Sequence, residues 1–134
     1  MDGEQLFDDL SALLAASPAE VVAAYVFGSV ARGDARPASD VDVAVLLTGP
    51  VPGRLAGLPY SLERRLELAL RRAVQVVVLN SAPPELVARV LRDGEILLER
   101  DRSQRIRFEV RARNLYFDLQ PFLRRYRRLE GRAV

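Results

Sequence analysis

Cysteine, histidine, lysine and tryptophan are all missing from this chain of 134 residues. Without cysteine there can be no disulfide, no thiolate nucleophile and no cysteine-rich zinc site. Without histidine, the commonest general base and metal ligand near neutral pH is gone. Without lysine, neither a P-loop lysine nor a Schiff base can form. Any chemistry must therefore rest on carboxylates, hydroxyls and the 20 basic residues, all of them arginine. Long apolar runs are missing too: the longest are strand-sized, far short of the roughly 20 residues that cross a bilayer. Met1 to Gln5 is acidic and Arg32 interrupts the apolar stretch around Val26, unlike a signal peptide. No membrane association is expected, and the expected location is the cytoplasm.

Hydrophobic residues make up 49% and charged residues 28%, the balance of a globular protein. The length suits one domain around one core. The expected organisation is a core over about 1–100 and a C-terminal helical segment over about 102–130. The formal charge of +2 hides an asymmetry: residues 1–99 carry 9 Arg and 14 acids, residues 100–134 carry 11 Arg and 4 acids. A basic tail suits nucleic acid, an acidic partner surface or a solvated helix face.

Leu6, Leu10, Leu13 and Leu14 recur at helical spacing within Glu4 to Ala15, before the Ser17-Pro18 break. Val21 to Phe27 is β-branched and aromatic and ends at Gly28, which predicts a buried strand. Ser29 to Asp34 reads as a short helix or turn, and Val41 to Leu47 as a second strand followed by a loop to about Pro59. Ser61 fits an N-cap for a helix burying Leu62, Leu66, Ala69 and Leu70. Val74 to Leu79 is a third strand, Pro84 opens a helix that Gly94 stops, and Glu95 to Glu99 is a fourth strand. From about Ser103, Phe108, Ala112, Leu115, Leu119, Phe122, Tyr126 and Leu129 recur in steps of four and three. That seam is expected to be core, with a kink or break at Pro121. Together these elements predict an α/β (α+β) fold with a mixed four- to five-stranded sheet, flanking helices and a C-terminal helical extension.

The chemistry concentrates in the segment GSVARGDARPASDVDVAVLL, residues 28–47. Asp40 and Asp42 stand two apart at a strand start, so both carboxylates project from one face. Such a pair repels itself unless a cation lies between, and hard divalent ions take oxygen ligands. Gly28 lacks a Cβ and lets a phosphate approach the backbone, while Ser29 offers a hydroxyl beside free N–H groups of a helix start. Arg32 and Arg36 can add positive charge to the phosphates, and Ser39 belongs to the same candidate nucleotide site.

Gly-Ser, ten residues, then Asp-x-Asp resembles the signature of the DNA polymerase β-like nucleotidyltransferase superfamily. Four fixed letters match by chance roughly once in a hundred thousand start positions. The wording is most similar to the minimal nucleotidyltransferase (MNT) proteins, and VVVLNSAPPELVARVLRDGEILLERD resembles that family's third strand and following helix. The resemblance covers most of residues 21–101 and implies a nucleotidyltransferase fold. It implies that Gly28 and Ser29 hold the triphosphate of ATP and that Asp40 and Asp42 bind Mg²⁺, with Mn²⁺ an alternative. It also implies an antitoxin whose partner is a HEPN-domain ribonuclease toxin, modified by AMP transfer to a tyrosine. One departure stands out. Where the family carries a third catalytic carboxylate, this chain has Gln75, and an amide is no general base and a weaker metal ligand.

Three functional readings follow: protein adenylyltransferase, a catalytically impaired module that neutralises its partner by occlusion, and a nucleotidyltransferase acting on a small molecule such as an aminoglycoside. Plainer readings stand beside them. The two aspartates can be solvated acids, Arg32 and Arg36 surface charges, Asp34 a cap, and Gln75 a polar residue on an open strand face. Nucleic acid is not expected as a partner, because no groove-reading motif accompanies Arg124, Arg125, Arg127 and Arg128. A homo-oligomer stays open.

Overall fold

The computed structural model describes residues 3–33, 39–50 and 53–132. Its elements are α1 (Gly3–Ala15), β1 (Val21–Phe27), α2 (Ser29–Arg32), β2 (Val41–Leu47), α3 (Leu58–Leu70), β3 (Val74–Val78), α4 (Pro84–Asp93), β4 (Glu95–Glu99) and α5 (Arg102–Arg132). The strands form one mixed sheet in the order β3-β2-β1-β4, with β1 antiparallel to both neighbours and β2 parallel to β3. Four strands therefore satisfy the expected range.

Both faces of the sheet are covered, which is why its central strands are apolar at every position except Asp42 of β2 instead of alternating. β1 is buried throughout. On one face Leu6, Leu10 and Leu14 of α1 and Leu58, Leu62, Leu66 and Leu70 of α3 pack on Val41, Val43, Val45 and Leu47. On the other face Val87 and Val90 of α4 pack on Tyr25, Phe27, Ala44 and Leu46, with Phe108 and Ala112 of α5 against them. Alternation along β2 thus assigns odd-numbered residues to the α1/α3 side and even-numbered ones to the α4/α5 side.

Side chains secure the joints. Arg100, just past β4, donates to the carbonyls of Ala15, Ser17, Pro18 and Val21 at 2.6–3.1 Å, tying the α1–β1 connection to the end of β4. Asn80 makes a two-way amide pairing with the backbone of Leu47 at 2.8 Å in each direction, prolonging β2 pairing by one side chain. At the outer edge of β3 the Val76 N–H, pointing away from β2, donates to Glu63 Oε1 of α3 at 2.9 Å.

Four local expectations need correction. α3 begins at Leu58 rather than after Ser61, because Gly57 occupies the N-cap with Pro59 in the first turn; the Ser61 hydroxyl instead donates back to the Leu58 carbonyl at 3.1 Å. β3 ends at Val78, and Leu79–Ser81 tighten into a single 3-10 turn. Pro121 does not divide the last helix, which runs unbroken through it. Nor is the seam of α5 uniformly core. Phe108 and Ala112 pack inward, but Leu115, Phe122, Tyr126 and Leu129 are 50%, 65%, 61% and 57% exposed. The reason is length. At 1.5 Å per residue the 31-residue α5 reaches about 46 Å, whereas strands of five to seven residues reach only about 17–24 Å. The helix outruns the sheet on which it starts.

Candidate functional site

The Gly-Ser turn and the Asp-x-Asp pair meet at one end of the sheet. Phe27 is the register partner of Asp42, and Asp42 is in turn the register partner of Gln75, so β1, β2 and β3 bring these positions into one row. Asp42 and Gln75 are even- and odd-numbered on different strands, yet both side chains lie on the α4/α5 face, since their neighbours Val41, Val43, Val74 and Val76 belong to the opposite core. Asp40 precedes the first residue of β2 and, two residues from Asp42, shares that face.

Gly28 closes the arrangement. Its backbone has φ +74° and ψ −150°, a region essentially restricted to glycine. A Cβ built on it would sit 2.4 Å from Asp42 Oδ2, so the space in which the carboxylate rests exists because residue 28 has no side chain. From there the chain turns directly into α2, whose first N–H groups lack partners within the helix; the Arg32 N–H returns to the Gly28 carbonyl at 3.1 Å. Ser29 therefore stands at the head of this single turn, one residue from the glycine that faces Asp42.

Electrostatics distinguish Asp42. Partial burial and the nearby Asp40 carboxylate push its carboxyl above the ordinary value, while Arg32 pulls it down. Charge repulsion and burial in one group mean that a cation beside it would relieve both. Arg32 is thereby placed within electrostatic reach of the pair. Ser39 contributes through its backbone: its carbonyl accepts from Arg72 Nε at 3.2 Å and Nη2 at 2.7 Å. Together with the Val41 N–H donating to the Ala73 carbonyl at 2.9 Å, that fork holds the approach to Asp40 against the α3–β3 junction. Arg72 escaped the sequence reading, and nothing local would have singled out one arginine among 20. Arg36 and Asp34 lie outside the described residues.

Among the described residues no group of three or more Asp, Glu, His or Cys side chains assembles. The donor set is thus two carboxylates, with the exposed amide of Gln75 beside them. Two carboxylate oxygen donors suit a hard divalent ion whose remaining positions are filled by phosphate oxygens and water. The residues present fit that ion when a polyphosphate accompanies it.

The model of the polymerase β nucleotidyltransferase family matches residues 9–103. The chain belongs to that family. The match runs from the middle of α1 to the start of α5, and so includes every described residue of the candidate site. No curated protein matches it in sequence. Among solved structures, it is similar at 25% identity and a TM-score of 0.76 to a chain of a toxin–antitoxin structure with AMP-PNP, covering 96% of this chain and 98% of that one. A chain of a MntA–HepT toxin–antitoxin structure aligns at 23% identity and a TM-score of 0.71, covering 98% and 99%. A third, from the complex of a tri-AMPylated Shewanella oneidensis HEPN toxin with an MNT antitoxin, aligns at 22% identity and a TM-score of 0.73, covering 99% and 100%. These likenesses extend over α5, of which the family model reaches only the first two residues, and none of the described helices is long and apolar enough to cross a membrane.

Proposed function

We propose that this nucleotidyltransferase is an MNT-type antitoxin that transfers AMP from ATP to a protein hydroxyl, a tyrosine of a HEPN-domain toxin. The observation that carries the reading is the fit of Gly28 to Asp42, with a virtual Cβ 2.4 Å from Oδ2, beside an Asp40 on the same face. It sets the Gly28-Ser29 turn directly against two carboxylates suited to a divalent ion. The AMP-PNP in a toxin–antitoxin neighbour and the AMPylated toxin in another support the same chemistry.

In this mechanism Gly28 leaves the backbone open to the triphosphate, Ser29 donates its hydroxyl to a phosphate oxygen, and Arg32 offsets phosphate charge. Asp40 and Asp42 hold Mg²⁺ (or Mn²⁺), which when bound neutralises phosphate charge and makes the α-phosphorus more electrophilic. The acceptor oxygen bonds to that phosphorus as the α–β bridging P–O bond breaks, and pyrophosphate departs. Gln75, in register with Asp42, takes no proton, so the phenolic proton passes to water. The protein's contribution is positioning and charge stabilisation. The test is intact-mass analysis of a HEPN partner after incubation with this chain, ATP and Mg²⁺. One added AMP per modified tyrosine is expected, and an unchanged mass under every metal and nucleotide condition refutes transfer.

A second reading rests on Gln75. With an amide in place of a third acid, the protein would neutralise its partner by occupying it. Asp42→Asn separates the two: a variant that still silences the toxin supports occlusion, and one that no longer does supports transfer.

A further inference from the structure

The face of the sheet that carries Asp40 and Asp42 is the face on which α4 and α5 pack. Between those two helices runs an open groove of 590 Å³, with Arg89 and Arg92 of α4 on one wall and Arg113, Tyr116, Phe117 and Arg127 of α5 on the other. One end of α4 reaches the candidate site. Gly94, immediately after α4, packs so tightly that a Cβ there would meet the Val26 carbonyl at 3.2 Å, and Glu95 is the register partner of Val26, two residues before Gly28. Asp93 lies within electrostatic reach of Arg32, consistent with the same proximity. The groove runs along α4 and α5 on the face that carries the aspartates, and Arg92 on its wall is one residue from Asp93, at the end of α4 that lies near Val26 and Arg32.

We propose that this groove is the docking site for an acidic protein segment, which it guides toward Gly28 and the two aspartates as the acceptor. The inference rests on the protein-transfer reading for its purpose, but the groove's chemistry stands alone. Of the four arginines, Arg92 and Arg127 are engaged by Asp93 and Glu85, and Arg89 and Arg113 supply the charge for a ligand's carboxylates, which guanidinium recognises in bidentate fashion. Tyr116 and Phe117, the latter 74% exposed, supply apolar contact of the kind that anchors peptide segments. The positive charge of the groove is discontinuous, which suits a short segment with spaced acids better than an uninterrupted phosphate backbone. Glu85 bridges to Arg127 and Asp93 to Arg92, interrupting the positive surface where a phosphate backbone would need it continuous. Arg89 and Arg113 make no ion pair or hydrogen bond with another described residue. Arg89 shares the field of Asp93, and the guanidinium donors of both remain available to a ligand.

The test uses the full chain and a fluorescent glutamate–tyrosine copolymer as a stand-in for an acidic segment bearing acceptor hydroxyls. Binding that weakens as salt is raised is expected, because exposed charges are screened. The double variant Arg89→Glu/Arg113→Glu should lose at least tenfold in affinity for the copolymer, and Arg89→Gln/Arg113→Gln a smaller amount. Mg²⁺–ATP binding by calorimetry should stay within twofold of the original in both, showing that the fold and the nucleotide site are intact. Unchanged copolymer affinity in the charge-reversal variant overturns the proposal. So does tighter binding of an oligouridylate than of the copolymer, or loss of copolymer binding on Leu115→Ser/Phe122→Ser with no loss in the arginine variant. If the copolymer binds through the arginines while a HEPN partner gains no AMP, the transfer reading falls and the docking groove remains.

Discussion

Replacing Gly28 with alanine is the sharpest perturbation the structure offers, because two separate penalties fall on one methyl group. The first is conformational: φ +74° with ψ −150° is a glycine-only region, and forcing another residue there costs about 1–3 kcal/mol. The second is steric. The methyl would stand 2.4 Å from Asp42 Oδ2 and 3.3 Å from its Cγ, so the carboxylate must swing out of its place, at a further ~1–3 kcal/mol by analogy with overpacked sites. The sum, about 2–6 kcal/mol, is a large share of the 5–15 kcal/mol typical of a domain. Urea denaturation followed by circular dichroism measures it as a fall in midpoint at constant slope. A cycle with Asp42→Ala separates the parts: the steric penalty disappears when the carboxylate is gone, since the remaining Cβ–Cβ distance of 3.5 Å is ordinary contact. The conformational penalty should persist in both backgrounds. A loss below about 1 kcal/mol, or equal losses with and without the Asp42 carboxylate, would refute the claim that the missing side chain makes room for the acid.

Other outcomes follow from the same geometry. Asp42→Asn should stabilise the metal-free protein: burial and Asp40 raise the carboxyl in the folded state, so wild-type stability falls as pH rises through the carboxylate range and stays reduced above it. With Cα atoms roughly 6–7 Å apart at a two-residue strand spacing and solvent screening between the charges, the repulsive part is about 1 kcal/mol, worth about 4 °C in a melting scan at pH 7. The same variant should show no further rise on adding Mg²⁺ and ATP, whereas the wild type should. Gln75→Asp puts an acid in register with Asp42; transfer to a HEPN partner should speed up at least tenfold by initial rate, at the expense of metal-free stability. Arg100→Ala removes four donations to backbone carbonyls and should cost about 2–3 kcal/mol by chemical denaturation, with Mg²⁺–ATP affinity little changed.

What was legible in the chain, and what was not, divides along the reach of each interaction. β1 and β2 matched their apolar runs to the residue, because strands buried on both faces advertise themselves as nearly continuous hydrophobic segments, while β4 matched between Gly94 and the charges after it although only Leu97 of it is buried. The meeting of the Gly28 turn with Asp42 was implied by motif spacing, and its physical form, a missing Cβ against a carboxylate, needed coordinates. Ser61 misled because a good capping residue stood three places inside a helix that Gly57 and Pro59 start. Arg72 was invisible, since its value lies in reaching the Ser39 carbonyl, 33 positions away in sequence. The α5 seam misled most. Its period announces a helix with an apolar stripe, but a period cannot say where the supporting sheet stops.

One quiet contact constrains how this protein can meet another. The Glu63 carboxylate occupies the Val76 N–H on the outer flank of β3, removing a donor that an incoming strand would need to register against this border of the sheet. Lateral strand addition, with the runaway stacking it invites, is thereby discouraged along β3. Recruitment is diverted to the helical surface instead, where side chains, rather than main-chain amides, decide who is admitted.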